Sequence, residues 1–197
     1  MKLILASSSP RRAEILRQAG IAFEIFAGPV DESRGPDEPP TAYVRRLAEA
    51  KARAVVEGGA TPQAPAWVVG ADTIVLIDGL VLGKPASAAE ARSMLEALSG
   101  RTHEVLTGVA VLRLPEGATQ IEQESTKVTI APLSKQEIED YIATGEPFGK
   151  AGAYAIQGRA GRFVTRIEGC YFNIVGLPLG RFYRMLKGLG WRGAAAL

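Results

Sequence analysis

The stretch Trp67-Val68-Val69-Gly70-Ala71-Asp72-Thr73-Ile74-Val75-Leu76-Ile77 constrains the fold more than any other part of the chain. It is apolar and rich in β-branched residues, so it reads as a strand buried in the interior of a sheet. Asp78-Gly79 follows at once and is a hairpin turn signal, which makes the next strand antiparallel to this one. Helical and extended patterns alternate along the rest of the chain, which predicts a mixed central β-sheet with flanking helices, of the α/β or α+β kind. The same stretch contains a conflict. Asp72 stands midway along it, where a carboxylate is costly unless paired, hydrogen-bonded or bound to metal. Two readings follow: a buried aspartate that holds a loop through backbone N–H groups, or a general base or metal ligand.

The other elements follow from local signals. Leu3 to Ala6 reads as a short buried strand, and Ser9-Pro10 opens a helix with Ser9 as N-cap and Pro10 at the first helical position. Residues 23–27 form a second strand candidate, and 28–40, rich in Gly, Pro and acids, a loop. A helix is expected from about Thr41 to Glu57, stopped by Gly58-Gly59. Ser87-Ala88-Ala89-Glu90 and Ser134-Lys135-Gln136-Glu137 are capping boxes that open two further helices. Residues 105–114 and 119–130 read as long strands around Pro115-Glu116-Gly117. After a Gly-rich stretch, 149–161, short strands are expected up to Val175, then a helix from about Pro178 to Gly188. One domain over 1–191 with a frayed tail, 192–197, is the expected organisation.

Composition narrows the class. The chain has 197 residues and 47% hydrophobic residues, enough for one sizeable core. A net charge of +2 argues against strong nucleic-acid binding, which needs a concentrated basic surface. The single cysteine, Cys170, excludes an intramolecular disulfide and fits a reducing compartment. No apolar run is long enough to span a membrane, and the N-terminal apolar run ends at Ser7-Ser8-Ser9-Pro10-Arg11-Arg12, too early for a signal peptide. A cytoplasmic location is the expectation. One histidine, His103, rules out a multi-histidine zinc site, and no Gly-Lys-Ser/Thr phosphate loop is present.

Three further places work against the stability of their own elements. Arg11 and Arg12 fall in the first turn of a helix, where cations oppose the macrodipole; with Ser7 and its neighbouring hydroxyls they suit a polyphosphate, or else they point to solvent. Lys51 shares a helix face with Val44, Ala48 and Val55, so it either reaches an anionic site or snorkels to the rim. Gly149-Lys150-Ala151-Gly152-Ala153-Tyr154-Ala155-Ile156-Gln157-Gly158 permits close backbone approach to a ligand, and Gln157 offers the donor and acceptor that a uracil or thymine edge needs; it also reads as an ordinary loop. Lys84, after the Gly83 turn, gains meaning only if it converges with these. Asp31 and Glu32, in the acidic loop, could join Asp72 in a Mg²⁺ site.

Taken in order, Ala6-Ser7-Ser8-Ser9-Pro10-Arg11-Arg12, Val30-Asp31-Glu32, Ala50-Lys51-Ala52, Gly70-Ala71-Asp72-Thr73, Gly83-Lys84-Pro85, Leu98-Ser99-Gly100-Arg101-Thr102-His103, the 150–158 segment and Val175-Gly176-Leu177-Pro178 resemble the Maf family of nucleoside triphosphate pyrophosphatases. The resemblance implies an inosine triphosphate pyrophosphatase-like fold with an active-site cleft between two lobes, a homodimer, and Mg²⁺- or Mn²⁺-dependent release of pyrophosphate. It implies Asp72 as the proton acceptor, and Arg11, Thr73 and Gln157 as residues that separate substrate subgroups. Arg directly after Ser-Pro, Ala-Asp-Thr, and Gln before the late Gly look like the subgroup acting on dTTP and UTP. The sister subgroup, acting on 7-methyl-GTP, carries other residues there. Ser7, Arg12, Lys51 and Lys84 are implied as phosphate-binding residues, and Asp31, Glu32 and Asp72 as metal ligands; some relatives have Glu in place of Asp31. The alternatives are a modified-purine pyrophosphatase on the same fold and a regulatory protein of septum formation. In a regular strand the Thr73 side chain points away from that of Asp72, so it acts through its backbone or from a bulge.

Overall fold

The structure is a computed structural model that describes residues 1–59 and 65–193. Of the expected tail, 194–197 lies outside the described residues. The chain runs β1 (Lys2–Leu5), α1 (Pro10–Gln18), β2 (Glu24–Ile25), α2 (Pro40–Glu57), β3 (Ala66–Ile77), β4 (Leu80–Leu82), α3 (Ala88–Leu98), β5 (Thr102–Leu114), β6 (Ala118–Ile130), α4 (Lys135–Ala143), β7 (Val164–Glu168), α5 (Tyr171–Val175) and α6 (Leu179–Gly188), with short 3₁₀ turns at Ala151–Ala153 and Arg159–Phe163. The strands form one sheet in the order β2-β1-β3-β5-β6-β7, with β4 beside β3. β1 is parallel to β2 and β3, whereas β3–β4 and β6–β7 are antiparallel, so the sheet is mixed, as the long apolar strand and its hairpin predict.

The chain divides into two compact units. The first comprises Met1–Asp72, Thr107–Glu124 and the described part of Gly176–Leu197; the second comprises Thr73–Leu106 and Ser125–Val175. In the first unit, β1 pairs with β3 in the register Leu3↔Trp67 and Leu5↔Val69, and Ala6 N–H extends this pairing to the Val69 carbonyl at 2.8 Å. Ser7 therefore leaves β1 beside the part of β3 that leads to Asp72. Helix α2 lies on the same strands through Ala48, Ala52 and Val55, which pack with Ile4, Val68 and Ala110. The approach is so close that only glycine fits beneath the helix. A Cβ on Gly70 would stand 2.1 Å from the Ala48 carbonyl oxygen, and one on Gly108 2.1 Å from that of Val44.

In the second unit the core gathers Val75, Leu95, Leu98, Val105, Ile138 and Tyr141 with their neighbours from α3, α4, β5 and β6. Ser134 makes the full capping box at the start of α4. At α3 the Ser87 hydroxyl accepts from Glu90 N–H, while the Glu90 carboxylate reaches the N–H of Ala86.

Three sequence expectations are corrected. Ser9 stands at the N-cap of α1 but makes no side-chain cap bond; its own N–H donates to Ser7 Oγ at 3.2 Å. β5 begins at Thr102 rather than at 105. The short strands expected up to Val175 are a single strand, β7, followed by the helical turn α5. The apolar, aromatic composition of 171–175 favours a strand, but buried Asn173 overrides it. Its amide donates to the Val105 carbonyl at 2.9 Å and to Thr126 Oγ1 at 3.0 Å, and the same hydroxyl bonds both the N–H and the carbonyl of Cys170.

Candidate functional site

In the first unit two carboxylates, Glu32 and Asp72, meet on Lys51. The close seat of α2 on Gly70 brings this helix down onto β3, and Lys51, one position before Ala52, faces Asp72, two positions after Gly70. Lys51 Nζ lies 2.6 Å from Asp72 Oδ1 and 2.6 Å from Glu32 Oε1. The Lys51 and Asp72 side chains keep only 15% and 13% of their exposure, whereas Glu32 keeps 49%. Lys51 thus reaches an anionic cluster rather than snorkelling to solvent. Asp72 Oδ1 accepts from the Lys51 side-chain ammonium, the partner that a working carboxylate in a charged cluster would have.

The two arginines in the first turn of α1 part company. Arg12 is buried; its Nε donates to the Gly176 carbonyl at 2.7 Å and its Nη1 to Ser7 Oγ at 3.0 Å. Burial lowers the Arg12 guanidinium from its usual range, while Asp72 and Glu32 work in the opposite direction, which puts Arg12 within electrostatic reach of both carboxylates. Arg11 is half-buried, and burial lowers it too. The helix start therefore holds two partly desolvated cations whose charge is not offset by any acid in the first turn, an arrangement that suits an incoming polyanion.

The acidic loop is fastened to α2. The Tyr43 hydroxyl donates to the Glu32 carbonyl at 2.7 Å, and Arg46 grips the Glu38 carboxylate through Nε and Nη2 while reaching the Ser33 carbonyl. Burial raises the Tyr43 phenol, and the charges of Asp72 and Glu32 add to it. Asp31 is exposed and accepts Ser33 N–H at 2.8 Å. Glu32 and Asp72 are brought together on one cation; Asp31 stays outside that pair, and among the described residues no group of three His, Cys, Asp or Glu side chains is placed to hold a metal. Two carboxylates gathered at one point nevertheless fit Mg²⁺ or Mn²⁺ of the kind that shares its shell with substrate phosphates and water. Sequence reasoning missed Tyr43, Arg46 and Glu38. Their signal, a Tyr and an Arg on the exposed side of a helix after an acidic loop, is common to many surfaces.

The second unit carries Thr73, Lys84 and Gln157. Thr73 is half-buried at the start of that unit, and Lys84 and Gln157 are exposed. Gly152 N–H donates to the Gly83 carbonyl at 3.0 Å, so the Lys84 turn and the Gly-rich segment are joined. His103 does not act as an exposed base. It is 3% exposed, its Nε2 is 2.8 Å from the Tyr154 hydroxyl, and burial lowers it to about 4.

Comparison with known proteins identifies the family. The model of the family described as Maf-like protein matches residues 2–189. A dTTP/UTP pyrophosphatase of Symbiobacterium thermophilum is 53% identical over 96% of this chain and 95% of its own length. One from Geobacillus sp. is 52% identical over 96% of this chain and 99% of its own length. Among solved structures, the Ham1 protein of Staphylococcus aureus aligns over 96% of this chain and all of its own, with a TM-score of 0.50 at 13% identity, a likeness of fold alone. The near-complete family match and relatives above half identity give one conclusion: the chain belongs to the Maf family.

Proposed function

We propose that the protein hydrolyses dTTP and UTP to the nucleoside monophosphate and pyrophosphate. The observation that carries this reading is Asp72, a largely buried carboxylate on β3 whose partner is the movable ammonium of Lys51, at 2.6 Å. A carboxylate so held can change partners when a substrate arrives, which one tied to backbone N–H groups cannot. The choice of substrate rests on the relatives, which carry that activity in their names and match at 53% and 52% identity.

In this mechanism the triphosphate brings several negative charges to Arg11, Arg12 and Ser7 at the start of α1. Phosphate oxygens compete with Glu32 and Asp72 for the Lys51 ammonium. Asp72 then accepts the proton of the water that attacks the α-phosphorus, a role worth about 10²–10⁴-fold in rate. Charge on the departing pyrophosphate is offset by Lys51, the arginines and Lys84. A divalent cation, Mg²⁺ or Mn²⁺, held by Glu32 and Asp72 with Asp31 nearby in sequence, would supply further neutralisation of phosphate charge. Thr73 and Gln157 serve base selection, Gln157 through its amide against the pyrimidine edge. A homodimer in the cytoplasm belongs to the same proposal.

The test is pyrophosphate release from a nucleotide panel, with and without Mg²⁺, by the unaltered protein and Asp72→Asn. Metal-dependent release from dTTP and UTP is expected, reduced at least about 100-fold in the variant while nucleotide binding persists. Preferred cleavage of 7-methyl-GTP would move the substrate to a modified purine, and binding without release would make the protein a non-catalytic nucleotide binder.

A further inference from the structure

The turn that carries Gln157 is held from both sides by residues outside the motifs that the family resemblance uses. Gly158 N–H donates to the Ala155 carbonyl at 3.0 Å, closing a four-residue turn with Gln157 at its exposed tip. On the near side, Ala155 N–H donates to the Tyr141 hydroxyl at 3.2 Å. On the far side, the Glu146 carboxylate accepts Arg159 N–H at 3.0 Å through Oε2, and Ala160 N–H at 3.3 Å through Oε1. The two sides are linked, because the Tyr141 hydroxyl donates to Glu146 Oε1 at 2.8 Å. Tyr141 is itself fully buried on α4 with its ring edge-on to Phe163. The carboxylate fills the space under the turn: a Cβ on Gly158 would stand 2.5 Å from it. Gly158 has φ −106°, which alanine adopts, so the carboxylate is the obstacle to a side chain there.

We propose that Glu146, locked by Tyr141, is a positioning residue for base selection: it fixes the 155–160 turn so that the Gln157 amide is presented in one orientation to the pyrimidine of a nucleoside triphosphate. This rests on the assignment of Gln157 as base reader. The geometry supports it because a long, exposed amide on an untethered turn would sample many orientations, and discrimination by hydrogen bonds needs one. Three donors, the Tyr141 hydroxyl and two backbone N–H groups, meet this carboxylate. A carboxamide has one oxygen for them and turns its NH₂ toward at least one donor.

The experiment compares Glu146→Gln, Gly158→Ala and Gln157→Ala in the full chain. It reads kcat and KM for dTTP, UTP and CTP, and amide hydrogen exchange at Arg159 and Ala160. Gly158→Ala evicts the carboxylate without removing its charge, and it decides the matter if Glu146→Gln does not fold. The expected result is a KM for dTTP raised about tenfold in Glu146→Gln and Gly158→Ala with kcat within about threefold, as for loss of a binding contact. The dTTP/CTP preference should fall as it does in Gln157→Ala, and exchange at Arg159 and Ala160 should quicken in Glu146→Gln. Unchanged preference in both turn variants beside a fall in Gln157→Ala overturns the positioning role and leaves the base reader standing. Unchanged preference in Gln157→Ala overturns the base reader and the proposal with it, and unchanged amide exchange overturns the brace itself.

Discussion

Asp72 and Glu146 are both partly buried carboxylates, one in each unit, and they are satisfied in opposite ways. Asp72 meets the Lys51 ammonium, which it shares with Glu32. Glu146 meets two backbone N–H groups and a tyrosine hydroxyl. Burial by itself raises the Glu146 carboxyl, but Arg159 N–H, Tyr141 and Ala160 N–H together hold it below the usual range. A lysine stem rotates and can leave for a phosphate; a backbone N–H cannot leave without unmaking the turn. On the roles proposed for Asp72 and Glu146, the identity of a buried carboxylate's partners, more than its burial, separates a group that works on substrate from one that holds shape.

The contrast breaks most severely at the seat that places Lys51. Gly70→Ala drives a methyl group to 2.1 Å from the Ala48 carbonyl oxygen, and the obstacle is helix backbone, which cannot step aside as a side chain does. We expect a loss of about 3 kcal/mol or more in stability, measured by urea unfolding, and loss of activity in whatever folded fraction remains, because Lys51 moves away from Asp72. Normal stability and turnover in this variant would mean that α2 is free to shift without consequence for the site. Next in size is Lys51→Met. It keeps the apolar stem of the side chain and leaves Glu32 and Asp72 facing each other without their cation. We expect kcat/KM to fall about 100-fold, in line with truncation of one partner of a desolvated charge pair. We also expect tighter binding of Mn²⁺ in the absence of nucleotide, read by calorimetry, because two carboxylates without an ammonium between them attract a divalent ion. Weaker Mn²⁺ binding would show that Lys51 organises the carboxylates for the metal rather than competing with it.

The parts of this molecule that were legible in the sequence are those that depend on local pattern. The apolar strand with its Asp-Gly turn gave β3, its antiparallel partner and the misplaced Asp72, and the Ser134 capping box marks the start of α4. Lys51 was visible as a charge on an apolar helix face, although the choice between an anionic site and the rim needed a partner 21 residues away. The difference between Arg11 and Arg12 could not be read, because it depends on the Gly176 carbonyl, 164 residues further on. Glu146 carries no sequence signal, since its main partners are backbone N–H groups, which every residue but proline possesses. The helical turn at 171–175 was not legible for a related reason: only the bonds of Asn173 to Val105 and Thr126 show that it sets the local backbone.

The smallest effect tests the fixed side of the comparison. His103 is buried against Tyr154 and lowered by desolvation to about 4, from the usual imidazole value of 6.5. Its folded pKa lies below its unfolded one, so between these values the unfolded chain binds more protons. Stability is then complete above pH 6.5, declines as pH falls through the window toward about 4, and loses nothing further from this residue below it. Between neutrality and pH 5.5 the decline amounts to about 1 kcal/mol. His103→Phe should remove this slope while leaving turnover at pH 8 nearly unchanged, checked by urea midpoints at pH 5.5 and pH 7.5. If the slope persists in the variant, the acid sensitivity of that range resides elsewhere. If turnover at pH 8 falls steeply with stability unchanged, the imidazole does more than fill and satisfy its site, and the division between working and shape-holding groups drawn from Asp72 and Glu146 does not extend to His103.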